Sequence, residues 1–207
     1  MTVPLAADNF NRGNGGLGAN WTTVFSTFAP AIVSNQCNEG TINQENDAFW
    51  SALTWPNNQW AEVSIIVASG SGDYVGPGLR NASGSVFSSY VVYVVGPLGA
   101  SSLLEVYKTV SGASTLLASA TFTVAANDVI RLTVEGTTLN AYQNGILRHG
   151  PLTDSALASG SAGLAMYNSA GAAQTILDNW QGGDFSLVAD ALAPNRLAVQ
   201  RVWAVPF

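Results

Sequence analysis

The stretch "FWSALTWPNNQW" (49–60) places Trp50, Trp55 and Trp60 close together in the chain. An indole can serve in two ways. Buried, it removes about 150–250 Å² from water, roughly 4–6 kcal/mol at about 25 cal/mol per Å². Exposed beside polar groups, it stacks on the apolar C–H face of a pyranose while a carboxylate, amide or guanidinium fixes the hydroxyls. Trp60 has the second kind of neighbourhood. In "QWAEVSIIVAS" (59–69), Ala61, Val63, Ile65 and Val67 fall on one side of a period-two run, and Trp60, Glu62 and Ser64 on the other. The plain alternative sets Trp60 at the strand start, beneath the 55–59 loop. Trp50, between Ala48 and Ala52 on its face, suits a core nested among small residues. Trp55, in the polar turn "TWPNNQ", either covers one end of the core or stands exposed. Arg80 and Tyr90 are the other candidates for the Trp60 face; for Arg80 the alternative is an ion pair with Glu62 or Glu105. The candidate carbohydrate-binding set is therefore Trp55, Trp60, Glu62, Arg80 and Tyr90.

Other chemistries are poorly supplied. Cys37 is the only cysteine and His149 the only histidine, so neither an intrachain disulfide nor a zinc-type ligand set can be built. His149 reads as a turn histidine beside Gly150 and Pro151, with no Gly-x-Ser-x-Gly elbow anywhere. "SGSGDYVGPG" holds a Gly-x-Gly, but no helix follows it to bind phosphate. Charged residues are 10% of the chain and the net charge is −6, which argues against nucleic acid and anionic membrane surfaces as partners. No apolar run reaches the ~18 residues that would cross a bilayer. "MTVPLAADNF" has neither a basic n-region nor an apolar h-region, so no signal peptide is expected.

The elements that must position these residues are strands. "NDVIRLTVEG" (127–136) alternates, with Ile130, Leu132 and Val134 inward and Arg131, Thr133 and Glu135 outward. Asn144-Gly145 lies between two strand-like runs and predicts a two-residue hairpin turn. Further strands are expected over 20–26, 46–54, 73–80, 86–95, 102–109, 115–123, 162–168 and 174–180, separated by Gly-rich turns. Many short strands of this kind predict a sandwich or a barrel. Only "SLVADALA" (186–193) has a helical character, stopped by Pro194. Composition changes after residue 185. The segment 186–207 reads as an appended arm or extra strand, with Arg196, Arg201, Trp203 and Phe207 as its docking residues.

"ADNFNRGNGGLGANWT" near the start, "GPGLRNASGSVFSSYVVYV" (76–94) and "GSAGLAMYNSAGAAQTILDNWQGGD" (160–184) together resemble the concanavalin A-like, laminin-G-like jelly-roll domains, over roughly residues 6–185. The resemblance implies an all-β sandwich of two antiparallel sheets, one concave and one convex, with first and last strands adjacent. It divides the chain into a jelly-roll domain, 1–185, and the arm, 186–207. Glucanases of that superfamily carry Glu-x-Asp-x-Glu on one strand, a spacing that holds two carboxylates ~5–5.5 Å apart for retaining hydrolysis. Glu62, Glu105 and Asp178 are followed two residues later by Ser64, Tyr107 and Trp180, so none begins such a motif. A cross-strand pair such as Glu62 and Glu135 is the remaining route. The Gln-x-His of lyase-type sites is also missing. Related jelly rolls hold a structural Ca²⁺ where first and last strands meet; Asp8 and Asp178 match in kind, the alternative being that they cap loop amides.

The expectation is a non-catalytic, lectin-like jelly roll with no cofactor beyond that calcium. Two roles compete. One is a virion structural or surface component, a phage head decoration or tail protein assembled in the host cytoplasm. Its arm would bind other virion proteins or a second copy, and it could also contact glycan. The other is a carbohydrate-binding module of a secreted or cell-surface protein. A glycoside hydrolase or polysaccharide lyase ranks third.

Overall fold

The computed structural model describes residues 4–24, 28–82, 87–169 and 175–185. Among these, every regular element is a strand: β1 (Pro4–Asp8), β2 (Gly15–Gly16), β3 (Trp21–Thr23), β4 (Ala31–Val33), β5 (Gln36–Asn38), β6 (Ala48–Trp50), β7 (Gln59–Ala68), β8 (Tyr74–Ala82), β9 (Ser88–Val95), β10 (Gly99–Val110), β11 (Ala113–Val124), β12 (Val129–Glu135), β13 (Thr138–Gln143), β14 (Ile146–Thr153), β15 (Ser161–Tyr167) and β16 (Thr175–Asp184). They form two antiparallel sheets. One is nine-stranded, in the order β14-β13-β12-β7-β16-β5-β4-β2 with β1 pairing β16; the other is seven-stranded, β11-β10-β9-β8-β15-β6-β3. This is the two-sheet sandwich that the alternation predicts, with the first and last described strands adjacent. The helical reading of 186–193 and the arm residues Arg196, Arg201, Trp203 and Phe207 lie outside the described residues.

One face of each sheet supplies the core. Ala61, Val63 and Ile65 of β7 and Ile130, Leu132 and Val134 of β12 pack with Val92 and Val94 of β9 and Leu104 and Val106 of β10. The expected phase of β7 fails at its far end. Ile176 pairs with Val67 and Leu177 with Ile65, so Ile66 is bulged out of register. A bulge reverses the side-chain alternation, which moves Val67 out of the core and brings Ala68 in. The β13–β14 hairpin forms as expected, with Asn144 and Gly145 at φ 51° and 77°. The Asn144 side chain also accepts from the Val129 amide at 2.8 Å, which ties the turn to the start of β12.

The tryptophan-rich stretch is mostly core. Trp180 of β16 lies at the centre of an indole cluster, 4.8 Å from Trp21, 5.5 Å from Trp50 and 6.1 Å from Trp55 between ring centroids. Within the cluster three indole N–H groups find acceptors: Trp180 donates to the Gly163 carbonyl, Trp55 to that of Trp50 and Trp21 to Asp8. Gly182 makes this packing possible, since a Cβ there would come within 2.8 Å of the Trp55 ring. β1, β2, β4 and β5 have no sequence signal, because two to five residues are too few to show a period.

Candidate functional site

The structure does not gather the five predicted ligand residues into one exposed platform. Trp60 is on the outer face of β7, as its alternation requires, but only 1% of its surface is exposed. The Arg131 guanidinium covers its ring at 4.6 Å and bridges to Glu62 at 2.6 Å. On its other flank, Gly183 leaves no room for a Cβ beside the indole. Glu62 is thus paired to a cation, and Glu135, four residues along β12 from Arg131, lies about 13 Å further on. The two do not make a catalytic pair. Trp55 is buried in the indole cluster, and Tyr90 is buried with its hydroxyl donating to Asp154 at 2.7 Å. Among the described residues Arg80 pairs with no carboxylate; its guanidinium donates to the carbonyls of Asn57, Leu157 and Gly136. It fastens three loops together. Burial depresses its basicity, countered in part by Tyr90.

A different cluster has the character of a binding site. Along β8, β9 and β10 the core takes Val75, Val92, Val94, Leu104 and Val106. Alternation then sends Tyr74, Tyr93, Glu105 and Tyr107 to the outer face of the seven-stranded sheet. There they line a cavity of about 270 Å³ together with Glu45 and Phe87. That is close to the small end of the usual ligand-pocket range of about 300–1,000 Å³, room for one ring. The tyrosines form a curved wall. Tyr74 stacks on Tyr167 at 4.7 Å and 10°, meets Tyr93 at 4.8 Å and 56°, and Tyr93 meets Tyr107 at 6.0 Å and 59°.

A carboxylate stands at each side of this wall. Tyr74 donates its hydroxyl to Glu45 Oε1 and Tyr107 donates to Glu105 Oε2, both at 3.1 Å. Glu45 is placed by a bridge to Tyr167. The turn before it is braced by buried Asn46, whose amide bonds the backbone of Gly40, Thr41 and Gln44. Among the described residues, Glu45 Oε2 has no hydrogen-bond partner, and fully buried Asp47 has at most a weak one in the Met166 backbone. Burial therefore pushes the Glu45 carboxyl up to about 7, against the hydrogen bond from Tyr74. It pushes Asp47 well above the ordinary carboxylate range, and the neighbouring Glu45 charge adds to this. Glu45-Asn46-Asp47-Ala48-Phe49 fills the first two acidic positions of Glu-x-Asp-x-Glu, a partial match the sequence reading omits; Phe49, packed with Val24 and Phe87, stands third. The tyrosine wall had no linear signal, since its residues come from four strands.

Asp8 and Asp178 are neighbours at the β1–β16 junction, and the Asp8 charge helps raise the Asp178 carboxyl, after burial as the larger cause. Asp8 is already saturated. Its oxygens accept from the Phe10 amide, from Arg12 at 2.7 and 3.0 Å, and from the Trp21 indole at 2.8 Å. Burial raises this carboxyl, but those donors outweigh it and leave it below the ordinary range. The donor set does not fit a calcium ion, which needs six to eight oxygens where Asp8 already holds a guanidinium. Among the described residues no three His, Cys, Asp or Glu side chains converge on a metal-sized site.

Solved structures share this architecture. A carbohydrate binding module, CBM66 from Bacillus subtilis, superposes with a TM-score of 0.62 at 19% identity, covering 80% of this chain and 96% of the module. A β-glucanase from Bacillus licheniformis superposes at 0.59 and 13% identity, covering 89% and 99%. The fold is the concanavalin A-like jelly roll. A xylan β-1,4-xylosidase from Bacillus halodurans contains the same jelly roll within a larger chain, with a TM-score of 0.58, 12% identity, and 86% of this chain matched to 39% of that one. No family model matches the chain, and no curated protein sequence does.

Proposed function

We propose that this jelly roll is a non-catalytic saccharide-binding protein that seats a sugar ring in the tyrosine cavity. The observation that carries this reading is the junction of Tyr74, Tyr93 and Tyr107 with Glu45 and Glu105 around one ring-sized space. The rings offer apolar faces for stacking and the carboxylates accept from hydroxyls. The carbohydrate-binding and glycan-cleaving neighbours lend support through the shared fold alone. Against hydrolysis stand the outer faces of the central strands. β8 presents Tyr74, Gly76 and Gly78, and β9 presents Val91, Tyr93 and Val95, with no carboxylate among them, so the cavity's two acids stand apart, Glu45 on Tyr74 and Glu105 on Tyr107, with Tyr93 between. A glycan array probed with the wild type and with Tyr107→Ala tests the reading. Selective binding lost in the variant is expected; binding that persists unchanged in the variant contradicts it.

A second role rests on the sequence of the final segment. Arg196, Arg201, Trp203 and Phe207 suit an arm that docks on another virion protein or a second copy. We infer a virion surface component, assembled in the host cytoplasm, that reaches glycan through the tyrosine cavity; a secreted or cell-surface binding module is the alternative. Sizing the protein with and without 195–207 separates them. A defined oligomer that dissociates on deletion supports assembly, and a monomer in both cases supports the module.

A further inference from the structure

The tyrosine cavity holds two glutamates and no described cation; burial favours the neutral form of Glu45, and a cation seated in the cavity would hold it ionised, which a neutral sugar does not do. Glu45 and Glu105 both line it, and Asp47 is buried beside Glu45 with no cation paired to it among the described residues. Every cation among the described residues is committed elsewhere. Arg12 pairs with Asp8, Lys108 with Asp154 and Arg131 with Glu62. Arg80 is bound to carbonyls, and Arg148 donates to Gln143 and covers the Phe122 ring. No described cation lines the cavity.

The aromatic wall is suited to the missing charge. Rings attract a cation through their faces, and aromatic cages are a general solution for ammonium groups. Here the hydroxyls of Tyr74 and Tyr107 are each held by a carboxylate, which polarises the rings toward a more negative face. An ammonium group between Tyr74, Tyr93 and Tyr107 would also offer a donor to Glu45 Oε2, which has none among the described residues, and would stabilise the ionised carboxylate. A hydroxyl would supply only the hydrogen bond. An anionic sugar would meet two glutamates with no described cation between them.

We propose that the cavity takes an organic ammonium group, carried on the bound saccharide as a free-amine sugar. The proposal rests on the saccharide reading for the carrier, and on the Glu45–tyrosine cage for the charge.

Calorimetric titration of the full chain at pH 6.5 with protonated glucosamine, N-acetylglucosamine, glucose and tetramethylammonium tests it, for the wild type and Glu45→Gln. Gln preserves the shape of Glu45 and cannot ionise when an ammonium group enters. Glucosamine should bind about tenfold or more tighter than its N-acetyl form, with the preference erased in Glu45→Gln. Tetramethylammonium binding with no sugar bound would support the ammonium site and overturn the saccharide reading. N-acetylglucosamine or glucose binding as tightly as glucosamine would overturn the ammonium site and leave the saccharide reading intact. Binding of none of the four, or glucosamine binding unaffected by Glu45→Gln, overturns the proposal. Circular dichroism of the variant confirms that any loss is local.

Discussion

The Tyr74 hydroxyl donates to Glu45 Oε1 at 3.1 Å while the Tyr74 ring lies flat on Tyr167 at 4.7 Å. One side chain therefore positions both the acidic and the aromatic parts of the cavity. Tyr74 comes from β8 and Tyr167 from β15, while Glu45 precedes β6; β15 pairs with both β8 and β6, which brings the three together. The site is a product of sheet order, not of any local motif.

The buried acids at this site make folding pH-dependent. Glu45 and Asp47 have folded pKa values raised above their unfolded ones, Glu45 to about 7. Between about pH 4.5 and 7 the native state holds protons that the unfolded chain has released, so stability falls as pH rises through that window. Asp8, Asp128 and Asp154 are lowered, each with burial opposed and outweighed by its hydrogen bonds. Their contribution is present above the unfolded carboxylate pKa and is lost as pH falls through the folded one. The melting temperature should peak near pH 5. Asp47→Asn should raise it at pH 8 and change it little at pH 5. A variant that melts lower at both pH values would contradict this assignment.

Arg80 should matter for the fold and not for ligand. Its side chain is nearly fully buried and satisfies three loop carbonyls, at Asn57, Leu157 and Gly136. Arg80→Ala leaves those acceptors unpaired and should cost about 2–4 kcal/mol in urea unfolding. A loss below about 0.5 kcal/mol, the level of an ordinary surface substitution, would show that water replaces the guanidinium freely.

At the β1–β16 junction Arg12 already neutralises Asp8. The melting temperature should therefore be the same in EDTA and in millimolar calcium. Arg12→Ala should lower it in both. A calcium-dependent rise in the wild type would mean that the ion displaces the guanidinium and binds between Asp8 and Asp178.

Much of the fold is legible because it obeys a period of two. Ile130, Leu132 and Val134 face inward as their spacing dictates, and Asn144-Gly145 makes the hairpin its positive φ values allow. The bulge at Ile66 is not legible, since nothing in "SIIVAS" marks which residue slips. Alternation sent Trp60 to the outer face correctly, but it carries no information on what covers that face. Arg131, sixty-nine positions away in its ion pair with Glu62, turned a candidate platform into a packed stack. Glu45 and Asp47 did have a short-range signal in their i, i+2 spacing. What makes them unusual is their burial against Tyr74 and beside Tyr93, which follows only from pairing between distant strands.

The most direct test is affinity for the strongest glycan selected by the array, measured by calorimetry for the wild type, Tyr107→Ala and Trp60→Phe. Truncating one wall of the cavity should weaken binding by about tenfold or more, in the range of stacking and cation contacts of about 1–2 kcal/mol. Replacing the covered indole should leave affinity unchanged. Loss of binding in Trp60→Phe with full affinity in Tyr107→Ala would place the ligand on the opposite sheet and contradict the account.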